Sequence, residues 1–210
     1  MSIIEVQIGN ISVKTTVITD DITLENSLKE LWSNMGRDEF VKNVVGLGLE
    51  KRFTSGFNGA ISSKVAALVL CAGYQCLIIE LNSFQVIPFS LASFLDLSDI
   101  TFVGVGIKQN VSNLRRDYGL ECRNAVELGP LAAVVREKHY LSACGLPDIA
   151  SACGVEVCKK SADVALGNWG ARKLRQECIR YATYDAYASF LVGNRLLQGI
   201  FPPLEDYLFD

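Results

Sequence analysis

Two runs in this chain, NVVGLGLE (43–50) and TFVGVGI (101–107), are apolar almost without interruption. A strand with one wet face alternates apolar and polar residues. A short continuous run therefore reads as a strand covered on both sides, the signature of a sheet held between layers of helix. VAALVLC (65–71) and CLIIEL (76–81) add two more strands around the Ala72–Gln75 turn. IIEVQI and ISVKTTVI, joined through Gly9-Asn10, read as a hairpin. A loop rich in Gly and Ser covers 54–63, and a short strand is expected at 125–128.

Helical spacing fills much of the rest. Asp20, Asp21 and Thr23 offer caps for a helix carrying Leu24, Leu28, Leu31, Trp32 and Met35. Pro88 to Leu97 reads as a short helix with Leu91, Phe94 and Leu95 inward. Asn110 to Tyr118 reads as another, stopped by Gly119. Further helices are expected at 129–140, about 146–153 and about 175–199. Strands lead, helices close the chain, and the two alternate between, which predicts an α/β fold with a mixed sheet.

The composition narrows the function classes. The chain has 210 residues, half of them hydrophobic, and a net charge of −3. That is enough for one packed domain without staples. No apolar run reaches the 18 residues of a membrane span, and the first residues lack the pattern of a secretory signal. Seven cysteines, an odd number, read as free thiols in a reducing compartment, cytoplasmic or nuclear. The pairs Cys71/Cys76 and Cys153/Cys158 have no histidine near them and read as small hydrophobes rather than zinc halves. His139 is the sole histidine, so a histidine-based triad or multi-histidine metal site is excluded, and an exposed position near a helix end is expected. Gly104-Val-Gly106 would need glycine at 109 to make a dinucleotide fingerprint, and Gln109 stands there. No phosphate-loop motif and no G-x-S-x-G elbow occurs. A pI near 5.3 excludes a broadly basic coating surface.

The last long helix carries RYATYDAYASFLVGNRLL, in which Tyr181 and Asp185 are four residues apart and share a face. Around it, VVGLGLEKR (44–52), VLCAGYQCLIIEL (69–81), IP (87–88), FVGVGIKQNVSNLRRDYGLE (102–121), LAA (131–133) and NWGARKLRQECIRYATYDAY (168–187) follow in order. This series resembles the Werner-type 3′–5′ exonuclease domain, the tyrosine-bearing branch of the four-carboxylate exonucleases, and especially its short plant members. The resemblance covers residues 44 to 199. It implies a ribonuclease-H-like fold, with a five-stranded mixed sheet flanked by helices and the N-terminal hairpin alongside. It also implies Mg²⁺ or Mn²⁺ held by an Asp and a Glu on the first core strand, an Asp after the GVGI strand and an Asp on the last helix. The last-helix Tyr would orient the attacking water, and the metals would polarise the phosphodiester.

Against that pattern, two of the four acids are replaced. In Gly46-Leu47-Gly48-Leu49-Glu50, Gly48 stands where the first Asp belongs, and Glu50 is kept. The next acid falls on Asn110. Tyr181 and Asp185 are intact, so Glu50, Tyr181 and Asp185 are the expected catalytic residues, with Glu50 and Asp185 holding at most one ion. An amide oxygen accepts a hydrogen bond but brings no charge. The two remaining carboxylates carry −2 against the +4 of two divalent ions. Groups that act as a unit fail as a unit, so a rate at least about 10³ below that of an intact site is expected, roughly 4 kcal/mol.

Arg172, Lys173 and Arg175 precede the Tyr181 helix and are the candidate phosphate contacts. Lys51/Arg52, Arg115/Arg116 and Lys159/Lys160 read as solvated charge, and Trp169 as a packing residue. The expected organisation is a hairpin and helix over 1–42 continuous with the core, an exonuclease-like domain over 43–200, and a tail over 201–210. The expected partner is a single-stranded or recessed 3′ end of nucleic acid. Mean hydropathy of +0.25 is high for a soluble domain and predicts a homo-oligomer.

Overall fold

The computed structural model describes residues 2–35, 43–55, 59, 61–156, 169, 171 and 174–199. Its strands are β1 (Ser2–Ile8), β2 (Ile11–Ile18), β3 (Val44–Ser55), β4 (Ile61–Ala72), β5 (Gln75–Glu80), β6 (Thr101–Gly104) and β7 (Ala125–Glu127). Its helices are α1 (Asp21–Asn34), α2 (Phe89–Leu95), α3 (Ile107–Tyr118), α4 (Leu128–Val135), α5 (Leu146–Ala152) and α6 (Gln176–Gln198). Short 3₁₀ turns cover Leu81–Ser83 and His139–Ala143.

The strands form one sheet in the order β1-β2-β5-β4-β3-β6-β7. β1 and β4 run against the other five. The five-stranded core is present as β5-β4-β3-β6-β7, and the hairpin does not stand apart from it. β2 pairs in parallel with β5 from Lys14↔Gln75 to Ile18↔Ile79, which extends the sheet to seven strands. Val65 to Ala72 of β4 is buried without a break, so both faces of the centre are covered. α6 packs on one face, and α1 with α2 is left to cover the other.

Local signals hold where they were read. Asp20 caps α1, accepting from the Thr23 backbone N–H at 2.8 Å, and that bond holds its carboxyl below the usual range. Leu91, Phe94 and Leu95 of α2 are buried, and α3 ends on Gly119 in the left-handed region. Trp169 is buried and His139 is exposed. The differences come from pairing. β3 and β4 run on past the apolar runs to Ser55 and back to Ile61, into the stretch read as a loop. Their exposed cross-strand pairs carry no hydrophobic signal. Trp32 is 41% exposed on the edge of the α1 stripe. α3 starts three residues earlier than expected, at Ile107, after Gly106 turns the chain with φ +67°.

One row of paired residues runs across the whole sheet: Ile4, Thr15, Cys76, Cys71, Gly46, Val103 and Val126. α6 lies along this row. Thr183 Oγ1 meets Thr15 Oγ1 at 3.1 Å, the Ala186–Phe190 backbone sits on Gly46, and Gly193 sits on Val103. Ten helical residues cover about 15 Å, and β2 to β6 covers about 19 Å, so the helix crosses the strands rather than following them. Glycine permits the contact. A Cβ on Gly46 would lie 2.1 Å from the Ala186 carbonyl oxygen, and one on Gly193 would lie 2.7 Å from Val103 Cγ2. Gly46→Ala must push α6 off β3. We expect it to cost about 3 kcal/mol or more, read as a lowered midpoint in chemical denaturation.

Candidate active site

Gly46, Gly48 and Glu50 alternate along β3 and so face the same side, the side that carries α6. Glu50 lies four residues beyond the crossing point, about 13 Å toward the carboxyl end of β3. On α6, Thr183, Ala186 and Phe190 face the sheet. Tyr184 leaves from one flank, where its hydroxyl donates to the Gln7 carbonyl at 2.7 Å. Gln7 pairs with Ser12, on the amino-end side of the Thr15 row. Asp185 follows 100° further round the helix and leaves from the opposite flank, toward the carboxyl ends of the strands where Glu50 sits. Tyr181 is one turn earlier. Both Tyr181 and Asp185 are half-buried.

Asn110 comes from the other direction. β6 ends on Gly104, where a Cβ would lie 2.6 Å from the Leu47 carbonyl oxygen, so this strand end presses against β3 beside Gly48. The Gly106 N–H donates to Glu127 Oε1 at 2.6 Å, and the Asn110 N–H donates back to the Gly106 carbonyl. α3 then runs along the carboxyl edge of the sheet. Its far end reaches β4, where the Asp117 carboxylate accepts from the Val65 N–H at 2.8 Å and the Tyr118 hydroxyl donates to the Val65 carbonyl at 2.7 Å. The crevice outside the carboxyl ends of parallel strands is where open α/β sheets place ligands. Here α6 and α3 both pack against β3.

Gly48 and Glu50 thus lie on the α6 side of β3, Tyr181 and Asp185 lie on α6, and Asn110 lies in the first turn of α3. Arg175 is the N-cap of α6. Arg172 and Lys173 lie outside the described residues, as does Cys158. Gly48 is unlike Gly46 in one respect. The nearest atom to a Cβ built on it would be Val69 Cβ at 3.8 Å, an ordinary contact. Packing does not require glycine there. Among the described residues no group of three or more His, Cys, Asp or Glu side chains is arranged to hold a metal ion. Of the four family positions read from the sequence, Glu50 and Asp185 carry carboxylates, and Gly48 and Asn110 carry none.

Sequence reasoning missed three things. Glu80 shares a cross-strand row with Glu50 through Ala67, and burial pushes its carboxyl up. The β3–β4 register slips between Glu50 and Lys51, with Ala66 as the extra residue on β4. Such a bulge re-aims the strand beside it. Finally, Asp117 and Tyr118 satisfy both backbone groups of Val65 at that slip. Burial pushes the Asp117 carboxyl up, but the hydrogen bonds from Arg116 and the Val65 N–H, with the Arg116 and Lys64 charges, outweigh it and hold it below the usual range. One signal was available: an Asp in the last turn of a helix opposes the helix dipole and needs a partner elsewhere.

Comparison with known proteins gives the family and the fold. Residues 16–200 match the family model described as 3′–5′ exonuclease, and the chain belongs to that family. A 3′–5′ exonuclease of Arabidopsis thaliana is 31% identical over 159 residues, which are 73% of this chain and 52% of the relative. The bifunctional 3′–5′ exonuclease/ATP-dependent helicase WRN of Mus musculus is 28% identical over 156 residues, 73% of this chain and 11% of that protein. The chain thus spans about half, or much less, of these relatives' lengths. In fold, Escherichia coli RNase D superposes with a TM-score of 0.69 at 16% identity, over 88% of this chain and 44% of that one. The Aedes aegypti Nibbler EXO domain superposes with a TM-score of 0.68 at 16% identity, over 88% of each chain. The fold is ribonuclease-H-like.

Two outcomes follow from the site. Asp117→Ala leaves the Val65 N–H without its acceptor and should cost about 1–3 kcal/mol. Because that carboxyl titrates below its unfolded value, its contribution is complete above about pH 4 and fades as the pH falls through the folded value. Denaturation of parent and variant should therefore converge on acidification. The Gly48→Asp/Asn110→Asp variant should melt below the parent without metal, because like charges now crowd the crevice. Millimolar Mn²⁺ should raise its melting temperature by several degrees and leave the parent's almost unchanged.

Proposed function

We propose that the chain binds single-stranded or recessed 3′ ends of nucleic acid in this crevice and cleaves them weakly or not at all. The observation that carries the reading is at Gly48, where a Cβ would make only an ordinary contact, 3.8 Å from Val69 Cβ, so packing does not account for the glycine. On the family resemblance, the side chain that would bridge two cations is missing there. Glu50 and Asp185 remain, Asn110 offers a neutral oxygen, and together they suit at most one weakly held Mg²⁺ or Mn²⁺. Tyr181 would orient a water, as the family's last-helix tyrosine does. Family membership and the Arabidopsis relative support nucleic acid as the ligand. The replacement of two of the four family acids supports loss of rate, by at least about 10³.

A second reading is an inert module that works by self-association. An apolar groove between α1 and α2, lined by Leu28, Trp32, Phe94 and Leu97, favours it. One experiment separates the readings. Labelled single strands and recessed duplexes, of DNA and of RNA, are incubated with Mg²⁺ or Mn²⁺ and scored for binding and for stepwise shortening from the 3′ end. Binding with no shortening beyond an Asp185→Ala control is the expected result. Shortening well above that control would overturn impaired cleavage, and an absence of binding would favour the self-associating module.

A further inference from the structure

Beyond the bulge, β3 and β4 continue as a two-stranded ribbon, residues 51–55 against 61–65. Its nine residues outside Val65 at positions 51–55 and 61–64 include Lys51, Arg52 and Lys64 and no Asp or Glu. Arg52 and Lys64 are direct cross-strand partners. Like charges directly opposite each other destabilise a ladder, so this pair is an unfavourable choice for the fold alone. The surroundings ease it only in part. Lys64 Nζ sits 4.6 Å over the Tyr118 ring, and Asp117 lies close by with its carboxylate already engaged by Arg116 and the Val65 N–H. Arg52 Nε is buried and has no hydrogen-bond partner among the described residues. The extra residue of the bulge falls on β4, so alternation along β3 is unbroken, and Arg52 leaves from the same side of that strand as Glu50. The ribbon also exposes Phe53 and Ile61, by 55% and 75%.

We propose that the Arg52–Lys64 pair is a phosphate seat for the single strand that leads to the crevice. A phosphate between the two cations relieves their repulsion and gives Arg52 Nε an acceptor. The bulge, pinned at Val65 by Asp117 and Tyr118, fixes the seat relative to Glu50. Charge complementarity selects the occupant: a strand with one phosphate per nucleotide can meet the paired cations. This inference rests on the nucleic-acid reading above, and its test keeps the two apart.

Binding of a labelled single-stranded oligonucleotide is followed by fluorescence anisotropy in EDTA, so cleavage plays no part. Arg52→Gln/Lys64→Gln should weaken binding about tenfold. It should also reduce the slope of log affinity against log salt by about 1.4, the value for two phosphate contacts on a single strand. Lys29→Gln, on α1, should change neither. With its repulsion removed, the double variant should melt no lower than the parent. Unchanged affinity and salt slope in the double variant would overturn the phosphate seat and leave the nucleic-acid reading standing. So would a melting temperature far below the parent's, since the pair would then be serving the fold. Competition by poly-glutamate as strong as by unlabelled oligonucleotide would overturn nucleic acid as the occupant of the seat. A parent that binds no oligonucleotide would overturn both readings.

Discussion

The contact on which this architecture depends is backbone against backbone: the Ala186–Phe190 turn of α6 resting on β3 at Gly46. With no side chain between them, the helix comes close enough to bury its own Ala182, Ala186 and Phe190, and Gly193 repeats the approach on β6. Because the helix lies along a row of paired residues, its two ends are fixed by different strands, β2 through Thr15 and β6 through Val103. The direction in which Asp185 leaves the helix follows from that double anchoring. Tyr184, tied to Gln7, settles which flank is which.

The same frame separates the residues that hold the fold from those proposed for the site. Residues that hold α6 in place lie at Gly46, Gly193 and Thr183, whereas Gly48 makes no tight contact. On the proposed reading, fewer carboxylates beside β3 would mean less repulsion when no cation is bound, an exchange of activity for stability. One end of α3 carries Asn110, and the other holds the β4 slip beside Glu50.

What the sequence made legible was local. The Gly9-Asn10 hairpin, the Asp20 cap, the inward face of α2 and the Gly119 stop each depend on residues within a turn or two of one another. Glu50, Asp185 and Tyr181 were singled out only through the motifs around them, which are ordered along the chain, and the family those motifs indicate is the one the chain belongs to. The missed features depend on partners far apart. Val65 and Asp117 are separated by 52 positions, and the Glu50–Ala67–Glu80 row exists only once two registers are known. The joining of the hairpin to β5 belongs to the same kind, since an edge can be extended by any strand of suitable length. The long β3–β4 ribbon escaped because exposed pairs of Lys, Arg, Ser and Thr look like loop.

At Gly48 the first atom of a side chain would meet nothing nearer than Val69 Cβ, at an ordinary contact distance. The architecture therefore casts no vote on which residue stands there. Two positions earlier, at Gly46, it permits glycine alone, so a single strand alternates between a position dictated by packing and one left to chemistry.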